Sequence, residues 1–95
     1  MQKDKHLTKV SFWIEPEQVF VNGTETRGYE AKNVMAFFPE IRNMPGGTKR
    51  AVYSHVGQHS YCPADYIDEC IKATTEQYRD LAAELESLGY NLQIV

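Results

Sequence analysis

The chain has 95 residues, room for one small domain that buries about 60–65% of its unfolded surface around a single core. Its apolar content of 42% and aromatic content of 12% exclude a disordered or fibrous chain. A net charge of −3, with 24% charged residues, excludes a nucleic-acid or membrane binder driven mainly by charge.

Met1 to His6 holds no apolar signal region, and the chain has only two cysteines, so a reducing cytoplasm is the expected location. Thr8 to Ile14 alternates with period two: Val10, Phe12 and Ile14 share one face, and Lys9, Ser11 and Trp13 the other. Trp13 is then either exposed at an interface or covered by a second layer. Pro16 has no N–H to give a ladder and ends this strand. Gln18 to Val21 runs into Asn22-Gly23, a dipeptide suited to positive φ in a tight hairpin, and Thr24 to Glu30 returns, with a bulge expected at Gly28. Val34 to Phe38 is the longest apolar run; it is too short to span a bilayer and reads as a strand buried on both faces. Pro39 is expected to stop it, and Glu40 to Thr48 reads as a loop. Lys49 to Val56 is the next strand, pairing with 34–38 as a hairpin.

Beyond Gly57 the pattern turns helical. Pro63 suits the first turn of a helix, and Tyr66, Ile67, Cys70 and Ile71 come next at helical spacing. A second helix begins at Thr74 with Gln77 completing a capping box. Tyr78, Leu81, Ala82, Leu85 and Leu88 mark its apolar face, and Gly89 is a left-handed stop. Tyr90 to Val95 alternates again and reads as a paired final strand. The expected fold is a single α+β domain over residues 1–95: an antiparallel sheet of four to five strands with two helices packed on one face. The expected core is Phe12, Ile14, Val34, Ala36, Phe38, Val52, Ile67, Ile71, Leu81, Leu85, Leu88, Leu92 and Ile94.

The densest chemistry lies in His55-Val56-Gly57-Gln58-His59-Ser60-Tyr61-Cys62-Pro63. Candidate ligand-binding residues are His55, Gln58, His59, Ser60 and Cys62, gathered by a backbone reversal at Gly57 where sheet gives way to helix. Free N–H groups at the helix start, with Ser60 and His59, suit a carboxylate or phosphate. The structural alternative uses Gly57 for the turn, Ser60 or Cys62 as cap and the histidines for local backbone groups. A zinc site from His55, His59 and Cys62 lacks a fourth ligand. In an extended strand the two histidines lie about 13 Å apart at roughly 3.3 Å per residue. On a helix Cys70 lies roughly 12 Å beyond Cys62, too far for a ligand or a disulfide. A thiol site would use Cys62 at the helix N-terminus, His59 as base and Asp65 as orienter. No metal or cofactor is expected.

Tyr29, Tyr53 and Tyr61 could stack bases, but only Arg42, Lys49 and Arg50 cluster nearby, so no nucleic-acid partner is expected. Residues 62–95 hold two Lys/Arg against seven Asp/Glu, a balance of −5, and residues 1–61 carry +2. An acidic C-terminal third is a solvated helix face or a surface for a basic partner.

Phe37-Phe38-Pro39-Glu40, then Tyr53-Ser54-His55-Val56-Gly57-Gln58-His59, then Ala73-Thr74, Glu76, Tyr78, Leu81, Glu84-Leu85-Glu86, Gly89-Tyr90 and Leu92 form a recurring pattern. Over residues 34–95 the chain resembles small uncharacterised proteins of bacterial conjugative transposons and related mobile elements. The resemblance implies a cytoplasmic bacterial accessory protein and carries over no catalytic residue. The expected function is therefore a non-enzymatic binding module acting through an unknown protein partner, as a monomer or homodimer and without a membrane. The alternative is a small metal- or thiol-dependent enzyme centred on His55, His59 and Cys62.

Overall fold

The computed structural model describes residues 7–30, 32–54 and 58–95. In chain order these form β1 (Thr8–Ile14), β2 (Glu17–Val21), β3 (Thr24–Gly28), β4 (Val34–Arg42), β5 (Lys49–Ser54) and β6 (Gln58–Pro63). Then come a short 3₁₀ turn (Tyr66–Glu69), β7 (Ile71–Lys72), α1 (Thr75–Ser87) and β8 (Leu92–Ile94). Six strands make one sheet in the order β6-β5-β4-β1-β7, and β8 shares the outer side of β1. β2 and β3 form a separate two-stranded ribbon.

β1 sits where its alternation places it. Val10, Phe12 and Ile14 are buried, and β4 pairs antiparallel along residues 11–14. On the other side β8 runs parallel against residues 8–10, while β7 runs antiparallel against residues 13–14. The sheet is therefore mixed, not antiparallel. The final strand is paired as expected, but the chain leaving α1 enters alongside β1 in the same direction.

The expected helix after Pro63 does not form. β6 continues through Pro63, which pairs with Lys49, and only four residues of the segment beyond it are helical. Sheet pairing at both ends of the stretch outweighs its helical spacing, since tertiary context overrides local propensity. Ile71 instead pairs with Ile14. Among the described residues the fold thus has six sheet strands and one α-helix, and two packed helices on an antiparallel sheet are ruled out.

Pro39 also fails to stop its strand. The β4–β5 register shifts between Phe38 and Arg42, and pairing resumes at Arg42 opposite Arg50. A bulge is one of the few places where a strand tolerates proline, and Arg50 Nε donates to the Pro39 carbonyl there at 3.0 Å. The Asn22-Gly23 turn matches its chemistry: φ is +52° and +78°, and Val21 pairs with Thr24. Gly28 pairs with Glu17 and closes β3, with no bulge.

α1 is the element most completely specified by its ends. Thr74 Oγ1 accepts from the Gln77 N–H and the Gln77 side chain accepts from the Thr74 N–H, a full capping box. At the other end Gly89 has φ +106°, its N–H reaches the Glu86 carbonyl, and the Tyr90 N–H reaches that of Leu85. These two bonds are a Schellman cap.

The two faces of the sheet are covered unequally. On one, Leu81, Ala82 and Leu85 of α1 close over Val10, Phe12, Ile14, Val34, Ala36, Phe38, Ala51 and Tyr53. Phe12 stacks on Tyr78 with ring centroids 4.3 Å apart. On the other, Met35, Phe37 and Val52 are covered by Trp13, Cys62, Tyr66, Ile67 and Cys70. β4 is thus buried on both faces, as its apolar run requires. Leu88, Ile71 and Ile94 are exposed rather than in the core, while Ile67 and Leu92 are half-buried. Among the described residues no helix is long and apolar enough to cross a membrane.

Candidate functional site

β6 is the terminal strand of the sheet, and its side chains alternate between faces. That parity decides the fate of the candidate residues. His59, opposite Tyr53, lies on the α1 face; Ser60 and Cys62, opposite Val52 and Arg50, lie on the other. Gln58 pairs with Ser54 through its backbone, and its side chain is outside the described residues. His55 and the expected reversal at Gly57 are also outside them. Residues 58–63 are strand, so no helix N-terminus presents free N–H groups at Ser60 or Cys62.

On the α1 face a polar cluster forms around His59. Its ring lies 4.6 Å from that of Tyr53 and 6.2 Å from that of Tyr90. His59 Nε2 makes a 2.9 Å hydrogen bond with the Tyr90 hydroxyl. The Schellman cap sets this contact, because it turns the chain at Gly89 and lays Tyr90 on Phe38 with centroids 5.4 Å apart. The nearby Glu84 carboxylate holds the Tyr53 phenol's pKa above the ordinary value, reinforced by burial. Glu84 Oε2 is buried and has no hydrogen-bond partner among the described residues. A buried acceptor left without a donor costs on the order of 1–3 kcal/mol. Beside this cluster His59, Leu88, Gly89 and Tyr90 line an open concavity of about 390 Å³.

The opposite face has different chemistry. Cys62 and Cys70 are free thiols in the cluster with Tyr66 and Trp13. Tyr66 donates to Glu15 Oε1 at 3.1 Å, and Trp13 Nε1 donates to Ser11 Oγ at 2.8 Å. Burial, then the Glu15 charge, raises the pKa of Cys62. The same causes, with Cys62 and Glu69 adding to them, push Cys70 up to about 11. Reactive cysteines have lowered pKa values. Both thiols pack against Met35, Phe37 and Val52, in a stretch that holds no α-helix.

His59 and Cys62 therefore project from opposite sides of one strand and share no site. Asp65 is exposed on the turn beyond β6. Among the described residues no three His, Cys, Asp or Glu side chains are grouped so as to hold a metal ion. The residues that join His59 are Tyr53, Glu84, Leu88, Gly89 and Tyr90. In sequence Leu88 reads as core and Gly89 only as a helix stop, and Tyr90 lies 31 residues from His59. The Gly89 stop is the available signal, because a Schellman cap folds the next residue back over the helix end. Compared with family models, curated proteins and solved structures, the chain matches none of them.

Proposed function

We propose that the chain is a non-enzymatic binding module that takes an extended segment of another protein along the free edge of β6, serving as an accessory protein of a bacterial mobile element. The observation that carries this is the edge itself. β6 ends the sheet, no described strand lies on its outer side, and its six residues carry no charge. Sheet edges that are not meant to pair are guarded by charge, proline or bulges, and here Pro63 guards only the last position. His59, Ser60 and Tyr61 are exposed along it, Tyr61 to 53%. Six residues at about 3.3 Å each offer a pairing length of roughly 20 Å. A second copy is the weaker occupant, because two chains of net charge −3 repel. The resemblance of residues 34–95 to mobile-element proteins supports the accessory setting.

The test is hydrogen exchange on the chain with a partner captured from the native host. New protection confined to β6, lost in Tyr61→Lys, is the expected result. Protection mapping to α1 or to the β2–β3 ribbon would refute docking on the edge. A β6-protected complex of two copies, seen as doubled mass by light scattering, would refute the foreign partner.

A further inference from the structure

We propose that the outer edge of β3 pairs with β3 of a second copy of this chain, antiparallel about a two-fold axis at Thr26, so that two ribbons join into one four-stranded sheet.

The ribbon is short of neighbours. β2 and β3 pair only with each other, and no described residue of either strand belongs to a core cluster. Thr24, Glu25 and Thr26 are exposed. A lone two-stranded hairpin is marginal in water, whereas three or more strands support one another. The register shows which edge can complete it. The Asn22-Gly23 turn closes on Val21 and Thr24, which bond to each other across the ladder. Alternation then turns the N–H and C=O of Thr26 inward, toward Val19, and those of Glu25 and Arg27 outward. An antiparallel neighbour must match outward groups with outward groups, which leaves three registers that overlap most of the strand. Two of them set Glu25 against Glu25 or Arg27 against Arg27. The third, centred on Thr26, sets Glu25 against Arg27 of the second copy twice, with Thr26 against Thr26. Opposite charges and threonine pairs are favourable when directly opposed on one face, and like charges are not. The strand Thr-Glu-Thr-Arg-Gly is therefore complementary to itself in one register alone. β2 has Glu17 as its one charged residue and no cation to match it, and β6 has no charge at all. The net charge of −3 that disfavours a second copy at β6 is offset at β3 by two contacts of opposite sign.

Sedimentation equilibrium on the chain alone, from micromolar to millimolar concentration, is the test. A reversible dimer that weakens with salt is expected, because a short edge buries little surface and part of its attraction is ionic. Amide protection at Glu25 and Arg27 should grow with concentration. Glu25→Arg and Arg27→Glu each oppose like charges, and each should weaken self-association about tenfold or more. Both variants should melt like the wild type, since the ribbon lies outside the core clusters. Mixed in equal amounts they should form a heterodimer, because every reversed position then faces its opposite. A chain that stays monomeric throughout, a dimer indifferent to both reversals, or a mixture no tighter than its separate variants would overturn the proposal. Doubled mass with protection at β6 in place of β3 would overturn it too. Since no foreign partner is present, these results are separate from those of the β6 experiment.

Discussion

The two faces of the sheet show what it takes to cover a strand. On the α1 face a helix capped at both ends seals Phe12, Phe38 and their neighbours, leaving those two rings at most 2% exposed. On the other face a four-residue turn and two half-buried thiols cover Met35, Phe37 and Val52, and Ile67 stays half-exposed. Long amphipathic cover excludes water and leaves polar groups such as the Glu84 Oε2 either paired or short of a donor. Short cover, with Trp13 of β1 added to it, still leaves Met35 and Phe37 only 2% and 4% exposed, and its burial favours the neutral forms of two thiols and a phenol. The same strand β6 serves both, giving His59 to one and Cys62 to the other.

Truncation should separate the faces most strongly. Phe38→Ala, at a fully buried site stacked on Tyr90, is expected to cost about 3–5 kcal/mol in denaturant unfolding. Ile67→Ala, half-buried under the turn, should cost less than about half as much. Equal losses would mean that the turn seals its face as tightly as α1 does.

The caps come next. Thr74→Ala removes the capping-box acceptor and should cost about 1 kcal/mol. Gly89→Ala meets no steric obstacle but carries φ +106°, so it should cost about 1 kcal/mol or more through backbone strain and shift the Tyr90 resonances. An unchanged His59–Tyr90 contact in that variant would detach the site from the cap.

The thiol face has a pH signature. Both cysteines have folded-state pKa values above the ordinary 9.0, Cys70 up to about 11. A group with a raised folded pKa contributes stability that is full below its unfolded pKa and is lost as pH rises through the folded one. Stability should therefore fall between about pH 9 and pH 11, and Cys70→Ala should flatten that fall. Alkylation of both thiols near neutral pH should be slower than that of an unstructured cysteine peptide; fast modification of Cys62 would mean that the cluster is open. The smallest effect belongs to Tyr90→Phe, which removes an exposed hydrogen bond to His59. Its cost should be within about 0.5 kcal/mol, seen mainly as a change in the His59 ring shifts.

The parts of the fold legible in sequence are those with a local cause. Val10, Phe12 and Ile14 announce a strand by alternation, Asn22-Gly23 a turn by its φ, and Thr74, Gln77 and Gly89 a helix by its caps. Tyr66, Ile67, Cys70 and Ile71 are spaced for a helix, yet β6 takes Pro63 and β7 takes Ile71 into the sheet. Tertiary pairing overrides spacing where the sheet takes both ends of the segment. Within the candidate site only His59 is identifiable from the sequence. The segment that holds it is a run of adjacent residues, whereas parity sends neighbours on a strand to opposite faces. Glu84, Leu88 and Tyr90 reach His59 through the fold and share no local pattern with it.

Side-chain contacts across β6, mapped by NOE spectroscopy on the wild-type chain, test this division most directly. Cross-peaks from the His59 ring to Tyr53 and Tyr90, with Cys62 reaching only Tyr66, Ile67 or their neighbours, are the expected result. Helical NOEs through residues 60–63, or a direct His59–Cys62 contact, would contradict it.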